Sequence, residues 1–108
     1  MELIQLNQEL YQTSKRLEGG GKDIFRMARE MAIAEKEYRK ALAIEKIRLR
    51  EEKMPVGLIE DVARGNLSEL RYKRDLAKET YIAGRDSLKA IQMQISALQT
   101  IIRYQSEV

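Results

Sequence analysis

Gly19-Gly20-Gly21-Lys22-Asp23 has the makings of a phosphate cradle, because consecutive glycines can turn their amides toward an anion that a lysine neutralises. The spacing argues against it. A phosphate-binding loop of that kind carries a glycine well ahead of the Gly-Lys pair and a Ser or Thr after it, and those places hold Arg16 and Asp23. Carboxylate chemistry fares no better. Bundle metal centres combine helical Glu with a His three residues further on, and the chain has no His and no Cys. Glu51-Glu52 and Glu60-Asp61 lie near a turn, where solvation accounts for them. A Ser–Lys nucleophile would need Ser14, Ser68, Ser87 or Ser96 beside a desolvated lysine, and each lies on or beside a polar helix face. Most proton relays, thiol nucleophiles and soft metal sites use His or Cys. The expectation is therefore a protein that is not an enzyme and takes no cofactor or metal.

The elements that would position these residues are helices. With 108 residues, one Pro, 34% charged and 44% apolar residues, the chain reads as a single all-α domain over 1–108. Leu3, Leu6, Leu10 and Leu17 sit at helical spacing and predict a short first helix, about 2–18, ended by the glycine run. A second helix, about 22–53, opens with Asp23 as its cap and presents Ile24, Met27, Ala28, Met31, Ala34, Tyr38, Ala41 and Leu42 on one face. Glu35–Arg39, Glu37–Lys40 and Glu45–Arg48 are expected to pair along it. Pro55 stops it. A short helix, about 57–64, follows with Leu58, Ile59 and Val62 inward and Gly65 as its C-terminal cap. Asn66 and Glu69 suggest a capping box for the last helix, about 67–105.

That last helix has the strongest pattern. Leu67, Leu70, Arg74, Ala77, Tyr81, Gly84, Leu88, Ile91, Ile95, Leu98 and Ile102 alternate three and four apart, a coiled-coil seam of five heptads. The two long helices should form an antiparallel, coiled-coil-like hairpin, with the short helix at its tip. Counting from the turn sets Tyr38 near Tyr81, Met31 near Leu88 and Ile24 near Ile95. Met93, Ala97, Ile101 and Tyr104 form a second stripe, which the first helix would cover as a partial three-helix bundle. At the tip, Leu58, Ile59 and Val62 would lie over Ile44, Ile47 and Leu49.

So little core in so small a chain implies self-association, with a dimer favoured. Ile33, Ile44, Ile47, Met93, Ile101 and Tyr104 are the candidate partner or oligomer interface. Direct nucleic-acid contact is the alternative, through Arg48, Arg50, Arg64, Arg71 and Lys73 around the tip. Neighbouring acids nearly match these bases, and the whole chain carries only +3. The longest apolar runs, the tetrads Met31–Ala34 and Ala41–Ile44, fall far short of the roughly 20 residues of a membrane span. Met1-Glu2-Leu3-Ile4-Gln5 lacks the basic start of a secretory signal, so a cytoplasmic setting is expected.

The stretch Ala34-Glu35-Lys36-Glu37-Tyr38-Arg39-Lys40-Ala41-Leu42, then Arg48-Leu49-Arg50-Glu51-Glu52 with Pro55-Val56, Leu58-Ile59-Glu60-Asp61 and Ala63-Arg64-Gly65, resembles a family of small helical proteins of Gram-positive bacteriophages and prophages. The similarity runs from about Ala34 to Ile102. It implies a helical hairpin, a bacterial cytoplasm and no catalytic residues. A small phage protein without a catalytic set acts by occupying another macromolecule's surface. The resemblance thus implies an interaction protein, directed at a host or defence factor or at a component of phage replication or recombination.

Overall fold

The computed structural model describes residues 2–107 and is all-α. Helices α1 (Leu3–Glu51), α2 (Val56–Asn66) and α3 (Ser68–Ser106) follow in order, with α1 and α3 antiparallel and α2 at the tip between them. No helix among the described residues is long and apolar enough to cross a membrane.

Helix α1 runs unbroken through Gly19-Gly20-Gly21, where a turn was expected, so the helices predicted at 2–18 and 22–53 are one. The reason is phase. Leu6, Leu10, Thr13, Leu17, Gly20, Ile24, Met27 and Met31 alternate four and three apart, and every one is buried or half-buried. Three glycines cost a helix about 1 kcal/mol each relative to Ala, yet a turn there would rotate one half of this seam out of register with the other. Gly20 also packs. A Cβ at that position would collide with the Leu88 side chain, so the missing methyl is what lets Leu88 in. With no helix start at 22, Asp23 caps nothing and instead pairs with Arg26 at 3.8 Å.

The end of α1 lies just ahead of Pro55, as expected, and closes with a Schellman turn. Lys53 takes a left-handed φ of 63°. Its N–H donates to the Arg50 carbonyl (3.0 Å), and the Met54 N–H donates to the Leu49 carbonyl (3.1 Å). Met54 folds back onto the cluster containing Leu49, the apolar contact that accompanies this turn. Leu67 (φ −108°, ψ 23°) then carries α2 almost directly into α3, its N–H donating to Ala63. Gly65 stays inside α2 without positive φ, so it does not cap. With so little break between the helices there are few free amides to cap, and the expected Asn66–Glu69 box does not form. Asn66 Nδ2 donates across to Glu45 Oε1 at 3.0 Å.

Packing divides the chain into two units. The tip unit spans Met27–Tyr81. Its centre is Leu49, Ile59 and Ala63, surrounded by Leu42, Met54 and Val62. Ile59 and Ala63 share one face of α2, which doubles back beside α1 so that Lys46 reaches Glu60 at 3.6 Å. Leu58, Ile44 and Ile47 remain exposed, contrary to the expected cover, because that inner face meets Leu49. The helix register differs as well. Arg74, not Tyr81, lies over the buried Tyr38 ring, 4.4 Å from its centroid, and in the other unit Leu88 meets Gly20 rather than Met31. The path of α2 explains the shift: it uses up the last turns of α1, so α3 begins beside Glu45 rather than beside the end of α1.

The second unit joins α1 up to Arg26 with α3 from Ile82. Leu6 and Thr13 are its buried positions, and the Thr13 hydroxyl is satisfied by donating to the Glu9 carbonyl at 2.8 Å. Leu88, Ile91, Ile95, Leu98 and Ile102 on α3 are half-buried. All positions of the predicted α3 seam, from Leu67 to Ile102, are half-buried. The partial three-helix bundle does not form. The segment expected to cover Met93, Ala97, Ile101 and Tyr104 is the first part of α1 and is spent on the α3 seam, which leaves that stripe exposed.

Candidate functional site

The Gly19–Lys22 run lies within α1, where backbone amides are bonded along the helix and cannot cradle a phosphate. Among the described residues no group of three or more carboxylates could hold a metal ion.

The six apolar candidates are all exposed, and they fall into two sets. Ile33, Ile44 and Ile47 belong to the tip unit, flanked there by Arg and Lys; Met93 (74% exposed), Ile101 and Tyr104 belong to the other. Sequence reasoning missed Ile4, Tyr11 and Phe25 on α1, although their heptad spacing was the available signal. A shallow apolar groove runs past Ile4 and Tyr11. The surface around Ile4, Tyr11, Met93 and Ile101 is nearly uncharged: Glu9 is the only charge from Leu3 to Ser14, and Ala90 to Ile102 carries none. Phe25 instead sits among Lys22, Asp23, Arg26 and Arg29.

The five basic candidates are not brought together. Arg48 is held by its own helix: its Nε lies 3.2 Å from both Glu45 oxygens, Nη2 also bonds Glu45, and Nη1 donates to Glu52 at 2.6 Å. The Arg48 hydrogen bond, followed by that from Asn66, holds the Glu45 carboxyl below its ordinary range, and Glu45 raises Arg48 in turn. Arg50 is exposed. Lys73 lies along a different groove, beside Met27, Glu30 and Leu76. Residues two apart on a helix face different ways, so Lys73 and Arg71 do not act on one surface.

Arg64 and Arg71 do converge, in company that sequence reasoning had not assembled. With Arg39 and Arg74 they line a cavity of about 300 Å³ between the three helices, with Tyr38, Leu42 and Glu35 as its other walls. Glu35 Oε1 accepts from Arg39 Nε at 2.6 Å, and Glu35 Oε2 lies 3.6 Å from Arg74. Arg64 donates to Glu60 at 2.8 Å. Arg74 donates twice to Asp75 Oδ1, at 3.0 and 2.9 Å, and that bond raises its already high pKa. Of the pairings expected along α1, Glu35–Arg39 and Glu45–Arg48 form, and Glu37–Lys40 does not. The chain matches no protein-family model, no curated protein and no solved structure.

Proposed function

We propose that the chain is a non-enzymatic helical interaction protein, working as a homo-oligomer, a dimer in the first instance, that binds a protein partner through its helix faces. The resemblance noted above supports a phage or prophage origin, with a host or defence factor or a replication or recombination component as the partner. One observation carries this reading: among the described residues the buried apolar core is only Leu6, Tyr38, Leu49, Ile59 and Ala63, while large apolar side chains at helical spacing stay exposed in both units, the kind of surface that marks an interaction site.

The two apolar sets suit different occupants. A second copy fits the charge-poor stretches 3–14 and 90–102, because two such surfaces meet without placing like charges opposite each other, and Gln5, Gln8, Gln92 and Gln99 can pair at the rim. A different protein fits the tip, where Ile44 and Ile47 are apolar anchors among charges that can select a partner. Direct nucleic-acid contact is less well supported, since Arg48 is neutralised by Glu45 and Glu52 and Lys73 faces away from Arg71.

Light scattering on the purified chain, at low and high salt and with single-stranded or duplex DNA, tests the reading. The expected result is a mass at least twice 12.6 kDa, insensitive to salt and to DNA. Met93→Glu with Ile101→Glu should give a helical monomer, while Ile44→Glu with Ile47→Glu should leave the mass unchanged. A monomer at 100-micromolar-order concentration that forms a salt-sensitive DNA complex would overturn it.

A further inference from the structure

The cavity between Tyr38, Arg64 and Arg74 is a place where positive charge gathers in an otherwise balanced chain. Four guanidinium groups from three helices line it, against one carboxylate, Glu35. The other carboxylates that touch these arginines, Glu60 and Asp75, are not among its walls. We propose that this cavity is a binding site for a phosphate group. The proposal uses residues apart from the apolar surfaces of the interaction reading, and only a nucleic-acid source for the phosphate would bear on that reading, in favour of its nucleic-acid alternative.

Three features support it. The first is unused donor capacity. A guanidinium has five N–H donors, yet Arg39 uses only Nε on Glu35 and Arg64 only Nη2 on Glu60. The Arg71 guanidinium makes no hydrogen bond among the described residues, its closest carboxylate oxygen, Asp75 Oδ2, being 4.0 Å away. The second is preorganisation. Arg74 is stacked on Tyr38, a ring only 4% exposed, and is tied to Asp75 through Nε and Nη2, so its guanidinium is held in place before any ligand arrives and its Nη1 edge is left for one. The third is shape. Forks approaching from three helices match a tetrahedral anion with several oxygens better than a planar carboxylate, and arginine forks bind phosphate oxygens in pairs. A volume of about 300 Å³ lies at the small end of ligand cavities, which suits a phosphate or pyrophosphate group.

The probes are sodium phosphate and sodium pyrophosphate, titrated into the full chain at ionic strength held constant with chloride. Binding is read from the arginine Nε–Hε NMR resonances and from thermal unfolding. The site requires saturable shifts at Arg64 and Arg71, a higher melting temperature, and affinity weakened about ten-fold or more by Arg71→Gln or Arg64→Gln. Arg48→Gln, outside the cavity, should bind as the parent does. Arg64 and Arg71 are half-exposed and each makes a single i,i+4 pair, so the two variants check one another should either lose helicity by circular dichroism. Equal shifts with chloride alone, or unweakened binding in both folded variants, would overturn the proposal. A short single-stranded oligonucleotide then identifies the source of the phosphate: competition with pyrophosphate means a nucleic-acid backbone, and no competition means a small phosphorylated molecule.

Discussion

Lys53 holds a backbone conformation that costs an L-residue about 1–2 kcal/mol and a glycine almost nothing. Lys53→Gly should therefore stabilise the chain, by about 0.5–1 kcal/mol once the greater freedom of glycine in the unfolded state is subtracted, as read from urea midpoints. A loss of stability would mean that the lysine side chain has a role of its own at the tip. Glu45 makes a prediction of opposite kind. Its carboxyl is held below the ordinary 4.5 by Arg48 first and Asn66 second, so folding favours the ionised form. The associated stability is complete above the unfolded value and is lost as pH falls through the folded one. Glu45→Gln should flatten that acid limb and leave the neutral side of the profile parallel to the parent's. The effect is small, because the Arg48 side chain is about half exposed and water screens the pair.

The helices record which sequence signals carry weight. The α3 seam could be read residue by residue because Leu67 to Ile102 never slips phase, and every seam position is half-buried. The glycine run was misread because propensity is local, while Leu17, Gly20 and Ile24 continue a seam whose partner lies on another helix. The register was out of reach for a similar reason: it depends on how far α2 doubles back, which no spacing within α1 or α3 encodes. The arginine cavity inherits that difficulty. Arg64 and Arg71 could be marked as basic tip residues, but Arg39 and Arg74 join them only once the register is known. These packing differences separate the three glycines. A Cβ at Gly19 or Gly21 would meet nothing within 4 Å, so Gly19→Ala and Gly21→Ala should each stabilise α1 by about 0.5–1 kcal/mol in urea unfolding. Gly20→Ala should gain less than either or lose stability, because Leu88 must move aside; equal gains at all three would remove Gly20 from the seam.

At the scale of the molecule, the charge-poor surface and the arginine network belong to different units. The surface from Leu3 to Ser14 and from Ala90 to Ile102 carries a single charge, while the tip unit holds the arginine network around Tyr38 and Asp75. Association through the uncharged surface should therefore persist at high salt, whereas phosphate binding at the tip should fade, and measuring both on one sample separates the two surfaces. The glycines inside α1 also bear on how the chain finds its structure. Helix growth stalls where propensity is lowest, and three glycines in a row form such a barrier about a third of the way along α1. Leu49 and Ile59, close in sequence, can meet early at little entropic cost, whereas Gly20 and Leu88 must close a much longer loop. The expected order of folding is accordingly tip first, closing like a zip toward the ends, with the glycines marking where the zip waits until α3 delivers Leu88; Leu49→Ala should then slow folding and Leu88→Ala mainly speed unfolding.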